Sequence, residues 1–151
     1  MSETDFAEFI RILKRRRVRF LVIGGYAMAH HGLVRATNDV DVLIATDDAN
    51  RVRVRKAAID FVGVEPPESA LTPPRGMFRV GSPSAHVDVT TKVDGIASFD
   101  RVWSNRSPGE FFGVKVDYMS LRDMLRTKRA AGRPKDLGDV AWLEEELRRR
   151  Q

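Results

Sequence analysis

Cysteine is absent from the sequence, which excludes a disulfide framework, a thiolate nucleophile and a cysteine-based zinc site. Long apolar runs are absent as well. The best of them, Phe20 to Ile23, falls far short of the roughly 20 residues that a membrane span requires. A signal-peptide pattern is also missing: in MSETDFAEFIRILKRRR the positive charge follows the apolar residues, the reverse of the secretory order. A cytoplasmic protein with no membrane attachment is therefore expected. Neither an internal repeat nor a linker interrupts the chain. A single domain over residues 1–151 is expected, with a core at about 18–118 and a helical C-terminal part at about 120–149.

What is present is an ordinary globular composition. Hydrophobic residues make up 42% and charged residues 31% of 151 positions, enough to bury a real core and to argue against disorder. The formal charge is +5, and it is unevenly spread. Basic residues cluster at Lys14 to Arg17 with Arg19, at Arg51 to Lys56, and at Arg148 to Arg150. Such clusters suit a polyanion such as tRNA or a nucleoside triphosphate, and equally a solvated helix face.

Periodicity and punctuation give the elements. Ser2 or Thr4 caps a first helix in which Phe6, Phe9, Ile10 and Leu13 recur at helical spacing. Val18 to Ile23 reads as a buried strand running into Gly24-Gly25, followed by a short helix closed by Gly32. Val40 to Ala45 is a second strand with Asp39 at its entrance, and Thr46 caps an arginine-rich helix ending near Phe61. Glu65 to Gly76 holds four prolines and reads as an irregular excursion. Phe78 to Val80 and Ala85 to Thr91 are strands joined at Gly81-Ser82-Pro83, and Val114 to Tyr118 is a further strand. Ser120 caps a helix ended by Gly132. Pro134 then starts a last helix, with Leu137, Val140, Ala141, Leu143 and Leu147 as its expected inner stripe.

The chemistry is carried by FLVIGGYAMAHHGLVRATNDVDVLIA. Residues two apart in a strand project to the same side, so the Asp39 and Asp41 carboxylates converge. Two such groups repel unless a cation lies between them, and an oxygen-only ligand set suits Mg²⁺. The double glycine permits close approach of a phosphate, with donors at the start of the following helix. Asp88 lies mid-strand in HVDVTT with no sequence-local cation evident, and is expected to meet Asp39 and Asp41 across the sheet. Three carboxylates can hold two metal ions, with Asp88 nearest the attacking hydroxyl and a candidate to accept its proton. Taken singly, a D-x-D is often an exposed pair and a double glycine a turn. The ordered combination is far rarer.

GGYAMAHHGLVRATNDVDVLI resembles the signature of the DNA-polymerase-beta-like nucleotidyltransferase superfamily. It is especially similar to the minimal nucleotidyltransferases and the abortive-infection type IV toxin group, whose R-x-T-x-D-x-D form is matched by Arg35, Thr37, Asp39 and Asp41. KRAAGRPKDLGDVAWLEE resembles their second block through Lys128, Arg133, Lys135, Asp136 and Asp139. The resemblance implies an α+β fold, a mixed β-sheet flanked by helices with C-terminal helices packed on the core. It also implies Mg²⁺-dependent transfer of a nucleoside monophosphate from a triphosphate such as ATP to a hydroxyl of RNA or protein, in a toxin–antitoxin or phage-defence setting with a partner chain. It implies Asp39, Asp41 and Asp88 as catalytic metal ligands, and Gly24, Gly25, Arg35, Thr37, Lys128 and Asp136 at the nucleotide. One position departs from the pattern: the second glycine is often serine, and Gly25 offers a phosphate only its N–H.

Arg133 and Asp136 also read simply as a pair that fixes a helix–turn–helix junction. His30 and His31, being adjacent, point to different sides of a helix and make no i, i+4 metal pair. His86 shares the Asp88 face and reads first as a partly exposed strand histidine. Trp103, Trp142 and Tyr26 read as packing residues. The competing functions are a non-catalytic nucleotide- or partner-binding protein that keeps the fold, and a nucleic-acid module using the basic first helix. The second leaves the three aspartates unexplained.

Overall fold

In the computed structural model, which describes residues 1–151, Ser2 and Asp5 cap one another reciprocally and open α1 (Glu3–Arg15). Phe6, Phe9, Ile10 and Leu13 all turn inward, as their spacing demands. The chain then forms β1 (Phe20–Ile23), α2 (Gly24–His30), β2 (Asp39–Ile44) and α3 (Asp48–Val62). Asp47, not Thr46, caps α3, its carboxylate accepting from the Asn50 N–H. A fully buried Asn50 ties the β1–β2 ends together. Its Oδ1 accepts from the Arg19 N–H, and its Nδ2 donates to the Arg19 and Ala45 carbonyls.

The hairpin β3 (Met77–Ser82) and β4 (Ala85–Thr90) follows, then α4 (Phe99–Ser104), β5 (Ser107–Phe111), β6 (Val114–Tyr118), α5 (Leu121–Ala131) and α6 (Leu137–Arg149). The six strands are ordered β3-β4-β2-β1-β6-β5. β1 runs antiparallel to β2 and parallel to β6, and β2 runs parallel to β4. The sheet is therefore mixed, with hairpins at both edges. Its apolar residues join those of the helices in one buried cluster that includes Phe9, Leu21, Val40, Val87, Met124 and Leu143. α1 and α3 pack on each other, with the Phe9 and Phe61 ring centroids 5.2 Å apart.

The last helix turns Val140, Leu143 and Leu147 toward the core as expected, but not Leu137 or Ala141. Leu137 is 67% exposed and Ala141 also faces outward, whereas Asp139 and Leu143 are buried. The inner stripe thus begins with carboxylates. Ser120 caps α5 and Gly132 closes it in the left-handed conformation, as read from the sequence. No helix is long and apolar enough to cross a membrane.

Candidate metal centre

Parallel pairing of β2 with β4 sets Asp39 beside His86 and Asp41 beside Asp88, so a D-x-D lies in register against an H-x-D. Alternation does the rest. Val40, Val42, Val87 and Val89 are fully buried on one face, while Asp39, Asp41 and Asp88 are half-buried on the other. One ligand atom from each of Asp39, His86 and Asp88 lies within 4.8 Å of the others. Asp41 and Asp88 line a cleft of about 410 Å³ whose walls include Gly24, Lys92, Lys128 and Arg133. α5 crosses this side of the sheet, adding Met124 and Thr127 to the wall.

The electrostatics of Asp41 are those of a carboxyl crowded by burial and by like charge. Burial pushes the Asp41 carboxyl up to about 6, and the charges of Asp39 and Asp88 add to the rise. His86 and Lys128 pull the other way without cancelling it. The Thr37 hydroxyl donates to Asp39 Oδ1 at 3.1 Å, which orients that carboxylate. Gly24 is required by its neighbour: its φ is +69°, and a Cβ there would run into the Asp41 carboxylate. At Gly25 a Cβ would meet Thr37 at an ordinary 3.4 Å, so this position tolerates a side chain.

Two basic residues bear on Asp88. Arg79, its cross-strand partner on β3, holds both carboxylate oxygens, at 2.8 and 3.1 Å. The cation that local sequence does not offer Asp88 comes from across the hairpin, which brings Arg79 opposite it. His86 is buried, not a partly exposed strand histidine, with Nδ1 2.9 Å from the Ser82 carbonyl and Nε2 3.5 Å from Asp88 Oδ2. The H-x-D spacing held the signal for His86. Only the pairing with β2 shows that it faces Asp39.

The second block forms a bracing network around two buried carboxylates. Arg35 grips Asp139 with two bonds (2.7 and 2.9 Å), and Arg133 grips Asp136 (2.7 and 3.2 Å). Lys128 Nζ lies 3.3 Å from Asp136 and 3.1 Å from Asp139. Arg133 thus braces the turn while Lys128 and Arg133 also face the cleft. Arg35 and Thr37 both have partners within the protein. His30 stacks on Tyr118 and bonds Ser107, and His31 bonds the Met119 carbonyl, so both are structural. A larger groove, about 660 Å³ between α5 and α6, contains none of these aspartates. Its Arg129 and Arg148 pair with Glu144 and Glu145, which makes it a solvated ionic surface.

The six-stranded mixed sheet with its C-terminal helices is a nucleotidyltransferase-like fold. The antibiotic-resistance factor ANT(2'')-Ia superposes with a TM-score of 0.63 at 14% identity, over 96% of this chain and 83% of that one. A Thermotoga maritima protein provisionally named a nucleotidyltransferase gives 0.59 at 14% identity, over 96% of both chains. An antigenic nucleotidyltransferase-like protein from Paracoccidioides brasiliensis gives 0.54 at 15% identity, over 93% and 75%. At these identities the likeness is one of fold. No protein-family model matches the chain, and no curated protein matches it in sequence.

Proposed function

We propose that the chain is a metal-dependent nucleotidyltransferase that moves a nucleoside monophosphate from a triphosphate to a hydroxyl of RNA or protein. The observation that supports this reading is the registered D-x-D and H-x-D pair, with Asp41 and Asp88 on the wall of a cleft that also holds Lys92, Lys128 and Arg133. The donor set fits a divalent cation: Asp39 and Asp41 offer oxygens suited to Mg²⁺, and Asp41 is raised by burial and then by the charges of Asp39 and Asp88. Asp39 and Asp41 would hold one ion and Asp88 would share in a second. When bound, such ions neutralise the triphosphate and activate the attacking hydroxyl.

The chain's own residues supply the rest. Thr37 fixes Asp39, and Gly24 leaves room for Asp41. Lys128 and Arg133, held in place by Asp136, present positive charge to a triphosphate in the cleft. Gly24 and Gly25 let the phosphates approach the backbone. Arg35 and Asp136 act at the nucleotide through the brace that positions Lys128. In the transfer, the acceptor oxygen bonds to the α-phosphorus, the bond to the departing pyrophosphate breaks, and the acceptor proton passes to Asp88. Arg79 must yield an oxygen of Asp88 for that role.

The Arg79 clasp is also the one observation that favours a second reading, a fold-retaining nucleotide or partner binder. Incubation with each α-labelled triphosphate, ATP first, Mg²⁺ and total RNA or protein separates the two. The enzyme reading expects a labelled acceptor, lost in Asp88→Asn while much of the triphosphate affinity remains. No labelled product with any of the triphosphates decides for the binder. The toxin–antitoxin or phage-defence setting, a single-domain organisation and a cytoplasmic location belong to the same proposal.

A further inference from the structure

His86 sits near the turn end of the β3–β4 hairpin and is 8% exposed. Its Nδ1 lies 2.9 Å from the Ser82 carbonyl oxygen. A carbonyl only accepts, so Nδ1 carries a proton and Nε2 is the nitrogen left to face the carboxylates. That nitrogen makes no hydrogen bond. Its nearest charged neighbour is Asp88 Oδ2 at 3.5 Å, and Asp39 completes the group within 4.8 Å. Asp88 has no need of a histidine donor, because Arg79 already supplies one to each of its oxygens. The two carboxylates facing Nε2 only accept, so neither offers a lone pair there a proton. The arrangement matches a metal-ligating histidine whose other nitrogen is oriented by a backbone carbonyl.

We propose that His86 Nε2, together with the Asp39 and Asp88 carboxylates, ligates one of the site's divalent cations and shifts its preference from Mg²⁺ toward Mn²⁺. The inference rests on reading the aspartates as the metal centre of a nucleotidyltransferase. An all-oxygen set suits Mg²⁺, whereas an imidazole nitrogen among carboxylates suits ions that accept both donor types. Arg79 competes for Asp88. It lies on the edge strand β3 with its side chain 47% exposed, and so has room to turn toward solvent when a cation takes an Asp88 oxygen.

The test titrates the full chain with Mn²⁺ alone and Mg²⁺ alone by calorimetry, and records the electron spin-echo envelope of the Mn²⁺-loaded protein. The expected result is Mn²⁺ binding at least about tenfold tighter than Mg²⁺, with nitrogen modulation from one imidazole in the echo envelope. His86→Gln should abolish the modulation and weaken Mn²⁺ binding by roughly tenfold to a hundredfold, while Mg²⁺ affinity changes less than about threefold. A wild-type envelope without nitrogen modulation overturns the assignment, and that readout needs no variant to fold. Equal weakening of both metals in His86→Gln overturns it too, leaving His86 as a hairpin brace. Oxygen-only binding that Asp41→Asn abolishes would sink the His86 ligand and leave the nucleotidyltransferase reading standing. Absence of any divalent binding sinks both.

Discussion

Asp41 lies on β2 with its carboxyl pushed up to about 6, mainly by burial and then by Asp39 and Asp88. A carboxyl whose pKa is raised on folding contributes stability that is complete below the ordinary carboxylate range. That contribution is lost as pH rises through about 6. Free of metal, the folded protein gives up on the order of 3 kcal/mol to Asp41 between about pH 4 and neutrality. Asp41→Asn in the presence of chelator should therefore raise stability near neutral pH by roughly 1–3 kcal/mol, with no gain at about pH 4. Urea unfolding at the two pH values measures this. Equal gains at both would mean that the substitution acts through packing. Gly24 and Gly25 divide in a similar way. At Gly24 an alanine meets a φ of +69° and the Asp41 carboxylate, and the backbone conformation alone costs about 1–2 kcal/mol. Gly24→Ala should lose at least that and disturb cation binding, whereas Gly25→Ala, inside a helix, should change stability by less than about 1 kcal/mol. Equal tolerance at both positions would remove the reason given for the first glycine.

α5, the turn after it and α6 are joined by Lys128, Asp136 and Asp139, and the brace reaches Arg35 ahead of β2. Hydrogen bonding to Arg35 holds the Asp139 carboxyl below the usual carboxylate range, and Arg133 does the same for Asp136. The sign is opposite to that of Asp41: this stability is present above the ordinary carboxylate range and lost as pH falls through the lowered values. Asp139→Asn should cost roughly 1–3 kcal/mol near neutrality, moderated by the half-exposed Arg35. The deficit should narrow on acidification, and a constant deficit across pH would contradict the ionic account. These same residues show where sequence reading stops. Val140, Leu143 and Leu147 face the core as their spacing implies, but the buried Asp136 and Asp139 take the places that an apolar stripe assigns to Leu137 and Ala141. β5 carries Pro108 and Gly109, residues that interrupt a strand pattern although an edge strand admits both. α4, six residues long, is too short for helical periodicity to show. The D-x-D face was legible because alternation is local. Arg79 opposite Asp88 and His86 beside Asp39 depend on a hairpin register and a parallel pairing that no local pattern specifies.

The charge of the whole molecule, +5, is less available than its clusters suggest. Arg16 pairs with Asp60, Arg19 with Asp47 and Asp100, and Arg55 with Glu68. At the C-terminus Arg148 pairs with Glu145, and Arg149 and Arg150 with Glu146. Such exposed pairs contribute little stability, but they blunt the pull of these clusters on a polyanion. In the proposed reading the carboxylate cleft, by contrast, draws a triphosphate chiefly with a cation in place. Mg²⁺ and ATP together should therefore raise the melting temperature more than the sum of either alone, by mass action on the folded state. Additive shifts would place the nucleotide on the arginine surfaces instead. The central claim is that the β2 and β4 carboxylates hold a divalent cation and a triphosphate at one place. Anomalous scattering from crystals grown with Mn²⁺ and a non-hydrolysable triphosphate tests it most directly. The account predicts Mn²⁺ within coordination distance of the Asp39 and Asp41 carboxylates, with the triphosphate in the cleft against Lys128. A triphosphate seated on the basic clusters, with no Mn²⁺ at Asp39 and Asp41, would contradict it.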